Sequence, residues 1–79
     1  LNPKKVPLLA GELVNTDQNG ACASMNAIIA TLPQVIPNAY VIPSTGCLGA
    51  PDRLHFTAEG YRELGKRYAA QMLSILKVK

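Results

Sequence analysis

The stretch "VPLLAGEL", residues 6–13, decides the fold class. It is a short, nearly continuous apolar run interrupted by Gly11, which is typical of a strand covered on both faces. A second short run, "NAYVIPS" at residues 38–44, is rich in strand-forming residues and lies between Pro37 and Pro43. Strands covered on both faces occur mostly in parallel sheets flanked by helices. We therefore expect these two runs to form parallel strands.

Two helices are predicted, one between the strands and one after them. Residues 22–32 have apolar side chains at helical spacing, and we expect Pro33 to end this helix. The clearer helix is Ala58–Leu76, with Thr57 as its N-cap and Glu59 in its first turn. The apolar face predicted for this second helix comprises Tyr61, Leu64, Gly65, Tyr68, Ala69, Met72, Ile75 and Leu76. We expect the glycine within that face to mark close packing against a neighbour.

The order strand–helix–strand–helix is typical of an α/β sheet with right-handed crossovers. Two parallel strands make a poor sheet alone, because both faces and both edges need cover. The sequence begins at Leu1 rather than at methionine, and its first residues resemble the interior of a longer chain. We therefore expect residues 1–79 to be the last β-α-β-α portion of a larger three-layer α/β/α domain.

The composition excludes several classes of protein. Of the 79 residues, 48% are hydrophobic and 16% are charged, which is typical of a globular chain, and no apolar run approaches the length of a membrane span. The net charge of +3 comes from scattered basic residues with few aromatic residues among them, so we expect no nucleic-acid partner. Cys22 and Cys47 are too few and too far apart for a zinc framework, and the pattern allows either a disulfide or two buried thiols.

The candidate site lies in "PDRLHFTAEG", residues 51–60, where His55, the only histidine, follows Asp52 by three positions. A carboxylate bonded to one imidazole nitrogen leaves the other nitrogen free to take a proton from a hydroxyl group. Ligands of parallel α/β sheets bind beyond the carboxyl ends of the strands, where this loop follows the second strand. We expect it to meet the loop after the first strand, which carries Glu12 and Asp17. The alternative is structural: Asp52 caps a turn and His55 packs at a helix start.

A longer pattern in this region resembles a known family. The block "PDRLHFTAEGYRELGKRYA" is similar to the C-terminal signature of SGNH/GDSL hydrolases, in which the triad Asp and His share a D-x-x-H loop before the last helix. Together with "PLLAGEL" and "MNAIIATLP", it most resembles carbohydrate esterase family 6 and the related sialate O-acetylesterase-like and acetylxylan esterase proteins. The resemblance covers almost the whole chain.

The resemblance implies the C-terminal portion of a flavodoxin-like SGNH domain in a serine esterase that removes acetyl groups from carbohydrate. It implies that His55 is the general base and Asp52 its partner, and that no metal or organic cofactor takes part. The nucleophilic serine and the oxyanion-hole residues are expected in the remainder of the domain, upstream of Leu1. Residues 1–79 alone are therefore expected to be inactive.

The resemblance also implies a periplasmic or extracellular enzyme, with acetylated carbohydrate as its partner and neither nucleic acid nor membrane. For a protein of that kind, a disulfide between Cys22 and Cys47 that ties the catalytic loop is expected. A non-catalytic carbohydrate-binding or interaction protein on the same scaffold is the alternative, because one fold hosts many functions.

Overall fold

A computed structural model describes residues 6–76 and shows a small α/β arrangement. Its strands and helices are, in chain order, β1 (Leu8–Gly11), α1 (Asn26–Ile29), α2 (Leu32–Val35), β2 (Ala39–Ile42) and α3 (Ala58–Leu76). Two short 3-10 segments, Thr16–Gln18 and Ala23–Met25, lie between β1 and α1. The predicted α/β class is confirmed.

β1 and β2 pair in parallel, as predicted. Leu8 lies opposite Ala39 and Gly11 lies opposite Ile42. The backbone N–H of Glu12 extends the ladder by donating to the Ile42 carbonyl at 2.9 Å. Because the strands run in the same direction, the segments that follow them leave from the same edge of the sheet.

Both strands are shorter than the apolar runs that predicted them. The run at residues 6–13 contributes only Leu8–Gly11, and the run at 38–44 contributes only Ala39–Ile42. Pro7 directly precedes the first strand and Pro43 directly follows the second. Proline has no N–H to donate to a ladder, so it commonly marks the end of pairing.

The continuous helix predicted over residues 22–32 is wrong. The N–H and the hydroxyl of Thr31 both donate to the Ile28 carbonyl, at 3.0 and 2.7 Å, which tightens the chain into an i to i−3 turn after α1. The chain then begins α2, Leu32–Val35, with Pro33 in its first turn. Proline fits there because the first N–H groups of a helix have no intrahelical acceptor. Pro33 therefore opens a helix instead of closing one.

α3 has the bounds predicted for it, and its N-cap is confirmed by the Thr57 hydroxyl, which accepts the Gly60 N–H at 3.0 Å. The helix packs on the sheet through Leu64, which is buried, and Tyr68, which is half-buried. The core formed there consists of Ile42, Cys47 and Leu64, with Leu9, Phe56 and Tyr68 packed against it.

Within residues 6–76, the close packing expected at Gly65 is not present, and it occurs at Gly60 instead. A Cβ atom at Gly65 would meet nothing within 4 Å in this part of the chain. A Cβ atom at Gly60 would overlap the carbonyl oxygen of Leu48 and lie 3.1 Å from the Cβ of Phe56. Glycine at position 60 thus lets the loop after β2 rest directly on the first turn of α3.

Alanine at the two glycines of α3 should have opposite effects. Gly60→Ala is expected to lower the free energy of unfolding by about 1–3 kcal/mol, because the added methyl group displaces the Leu48 carbonyl. Gly65→Ala is expected to raise it by up to about 1 kcal/mol, because alanine favours a helix and has free space here. Urea denaturation measures both, and a neutral Gly60→Ala variant would contradict the packing described.

Candidate active site

The two loops that leave the sheet edge meet, as predicted. The loop after β1 supplies acceptor side chains, and the loop after β2 supplies backbone N–H donors. Glu12 accepts the Ser44 N–H at 2.9 Å, and Asp17 accepts the Gly46 N–H at 2.9 Å. We call this set of bonds between residues 12–21 and 43–53 the interloop seam. Glu12 and Asp17 therefore hold the second loop in place.

Asparagine and glutamine side chains complete the interloop seam. The Asn15 amide donates to Glu12 at 3.2 Å and to the Ser44 hydroxyl at 3.3 Å, and the Gln18 amide oxygen accepts the Gly49 N–H at 3.3 Å. These two residues were not identified from the sequence. A run of Asx and Gln residues beside a strand end was the available signal, but Ser44 and Gly49 lie about thirty positions away along the chain.

The loop that carries the candidate pair is closed at its base. Gly49 and Phe56 form an antiparallel bridge, and the Ala50 N–H donates to the His55 carbonyl at 2.8 Å. The ring of Phe56 meets Tyr61 of α3 edge to face, with centroids 5.4 Å apart. Residues 50–55 thus project as a compact loop from the start of α3.

Asp52 organises the tip of this loop. One carboxylate oxygen, Oδ1, accepts the backbone N–H groups of Leu54 at 2.9 Å and His55 at 3.0 Å. The other oxygen, Oδ2, lies 2.6 Å from Nδ1 of His55. Aspartate commonly bonds backbone N–H groups two or three residues ahead, so this turn is encoded locally. The side-chain contact predicted from the D-x-x-H spacing is present.

The environment of Asp52 keeps its carboxyl group ionised. Its pKa is lowered to about 2 by the backbone N–H of His55, the His55 ring and the backbone N–H of Leu54, in that order. An ionised carboxylate only accepts hydrogen bonds, so the proton in the 2.6 Å contact belongs to His55 Nδ1. In the neutral imidazole the lone pair is then on Nε2, which is the atom that can take up a proton.

His55 is accessible to a reaction partner. Its side chain is 69% exposed, whereas that of Asp52 is 46% exposed. A side-chain contact this exposed contributes little to folding stability. The contact with Asp52 fixes the tautomer and the orientation of the His55 ring.

The disulfide expected between Cys22 and Cys47 is not formed, and both residues are free thiols. Cys47 is completely buried in the core beside Ile42 and Leu64, whereas Cys22 lies at the exposed surface. Burial is the main cause that raises the pKa of the Cys47 thiol. The two cysteines belong to different environments, although the loops that carry them meet.

Within residues 6–76, no group of three or more histidine, cysteine, aspartate or glutamate side chains is placed to hold a metal ion. In the same part of the chain, no helix has both the length and the apolar character needed to cross a membrane.

A comparison with known families identifies the chain. A family model described as carbohydrate esterase, sialic acid-specific acetylesterase, matches residues 1–74. The chain belongs to this carbohydrate esterase family. No solved structure matches it. An exposed imidazole oriented by a carboxylate is an arrangement that can support general-base chemistry.

Asp52 is expected to titrate with a midpoint near pH 2 in the folded protein, below its ordinary pKa of 3.8. Because the folded-state pKa is lowered, the carboxylate stabilises the fold above about pH 4, and this contribution is lost as the pH falls towards 2. A carbon-13 NMR titration of the carboxyl group measures the midpoint, and Asp52→Asn, which removes the signal, assigns it. A midpoint near 3.8 would show that the observed hydrogen bonds do not persist in solution.

Proposed function

We propose that this chain supplies the general base and its carboxylate partner to a serine esterase that removes acetyl groups from carbohydrate. Two findings support the proposal. The family model matches residues 1–74, and the carboxylate of Asp52 lies 2.6 Å from Nδ1 of an exposed His55. The second observation carries the proposal, because it leaves Nε2 directed away from the carboxylate and open to a hydroxyl group.

In the proposed reaction, His55 Nε2 takes the proton of a serine hydroxyl while the serine oxygen attacks the acetyl carbonyl carbon. The imidazolium that forms is stabilised by ionised Asp52. It then donates its proton to the departing sugar oxygen, so the ester bond breaks and an acetyl-serine remains. His55 then takes a proton from water, and the resulting hydroxide attacks the acetyl-serine carbonyl carbon. As the tetrahedral intermediate collapses, the imidazolium returns this proton to the serine oxygen, so acetic acid leaves and the serine is restored. The proton cycle closes with no cofactor.

The nucleophilic serine is proposed to come from another part of the domain. Ser44 is completely buried, and its hydroxyl donates to the Leu13 carbonyl at 2.7 Å. Ser24 lies in a 3-10 segment and Ser74 in the last turns of α3, so neither occupies a sharp strand-to-helix turn that would present a nucleophile. We propose that residues 1–79 are the C-terminal portion of an SGNH domain whose serine and oxyanion donors lie upstream.

Exposed apolar side chains support a larger domain around the described residues. Ile28 of α1 is 59% exposed, and Val35 of α2, which packs on β2, is 73% exposed. Other large apolar side chains are also exposed: Leu8, Leu13, Met25, Leu54, Leu73 and Leu76. Apolar surface of this extent usually packs against other protein. Further strands and helices of the same domain would cover it.

The decisive variants are those of the pair itself. His55→Ala in the intact protein is expected to lower kcat for an acetylated sugar by about 10³-fold or more, because the serine loses its base. Asp52→Asn is expected to lower it by at least about 100-fold, because a neutral amide does not stabilise imidazolium. Arg62→Ala, at an exposed position of α3, serves as the control and should retain full activity.

Measurement of acetate release by these variants also distinguishes an esterase from a non-catalytic carbohydrate-binding or interaction protein. Near-normal turnover by a folded His55→Ala variant would refute the catalytic role. Carbohydrate binding without any turnover by the unaltered protein would favour the non-catalytic alternative.

The 79-residue chain by itself tests where the nucleophile lies. A serine-directed phosphonate probe is expected to leave it unlabelled, and acetyl esters should not be hydrolysed, because Ser44 is buried and the other two serines are on helical segments. Mass spectrometry detects the adduct. Stoichiometric labelling of any serine in this chain would show that the nucleophile is local.

A further inference from the structure

Arg53 has an unusual backbone conformation between the two members of the pair. Its φ of 64° lies in the left-handed region, which residues other than glycine rarely adopt. Among residues 6–76, the other non-glycine residues with positive φ are Asn19 and Asn38, and asparagine tolerates this region far better than arginine. An arginine in this conformation requires support from its surroundings.

That support comes from the interloop seam. The guanidinium Nε of Arg53 donates to the Asn19 carbonyl at 2.8 Å, and the Arg53 carbonyl accepts the Ala21 N–H at 2.9 Å. The N–H of Arg53 donates to the Ala50 carbonyl at 2.9 Å within its own loop. The backbone and the side chain of Arg53 therefore both bond the loop that carries Asp52 and His55 to the segment after β1.

The conformation at position 53 affects how Asp52 meets its partners. The carboxylate bonds the N–H groups of Leu54 and His55, and both groups follow Arg53 in the chain. The Arg53 backbone therefore sets the direction of these N–H groups relative to Oδ1 in the observed loop. A rotation there would move the ring of His55 with them.

We propose that Arg53 is a positioning residue whose guanidinium bond to the Asn19 carbonyl holds the left-handed backbone that aligns Asp52 with His55. The consequence for catalysis rests on the function proposed above, whereas the alignment itself does not. A contact between the exposed guanidinium and substrate is the rival role, and it makes different predictions.

Two substitutions separate these roles, because both remove the guanidinium and only one restores backbone freedom. Glycine adopts positive φ without strain, so Arg53→Gly should retain the loop conformation. Arg53→Ala keeps the unfavourable positive φ but loses the bond to the Asn19 carbonyl, so the backbone at position 53 should move to a more common conformation. In the intact protein we expect kcat within about 2-fold of normal for Arg53→Gly and about 10-fold lower for Arg53→Ala, with KM unchanged in both.

NMR of the same variants reads the alignment independently of activity. The Asp52 titration midpoint should stay near 2 in Arg53→Gly and rise towards 3.8 in Arg53→Ala, with loss of the downfield Nδ1 proton signal of His55 in the alanine variant. Arg62→Ala, which removes an exposed arginine elsewhere, should leave both signals unchanged.

Equal losses in the two Arg53 variants, or a raised KM in both, would overturn the positioning role and indicate a substrate contact. An Asp52 midpoint near 2 in Arg53→Ala would also overturn it. If the unaltered protein hydrolyses no acetyl ester, the proposed function fails, while the NMR comparison still decides the role of Arg53.

Discussion

The site depends on how the loop after β2 satisfies its backbone. Residues 43–57 leave the sheet without entering a strand or helix, so their backbone N–H groups need acceptors outside regular secondary structure. Carboxylate and amide oxygens of Glu12, Asp17 and Gln18 provide several of them. The loop is therefore placed chiefly by polar contacts with its neighbour, and its apolar attachment to the core is confined to Cys47 and Phe56.

The parts of the fold that follow from local rules were predictable. The bounds of helix α3, Ala58–Leu76, follow from the threonine N-cap and from apolar residues that recur at helical spacing. The parallel pairing of β1 and β2 follows from two short apolar runs. The segment 22–32 was not predictable in the same way. Its apolar spacing favours a helix, but Asn26 directs its amide to both backbone groups of Leu13, at 2.8 and 3.1 Å, and Thr31 closes a tighter turn. These contacts outweigh the helical preference.

The candidate site likewise has one contact that local sequence predicts and another that it does not. The three-residue spacing puts Asp52 within reach of His55, so the sequence indicates that the two side chains can touch. The bond from Arg53 to Asn19 spans 34 positions and requires both loops to be placed first. No local pattern distinguishes this arginine from an ordinary surface residue. The close approach at Gly60 rather than Gly65 was likewise hidden, because it depends on where Leu48 lies.

The state of the cysteines has a consequence for how the site keeps its shape. Cys47 lies wholly within the core, where burial disfavours the reactive thiolate, and no covalent link joins it to Cys22. The bonds that align the two loops are N–H to oxygen contacts, which neither gain nor lose electrons. The alignment of the two loops near His55 therefore rests on hydrogen bonds and not on a disulfide between these cysteines.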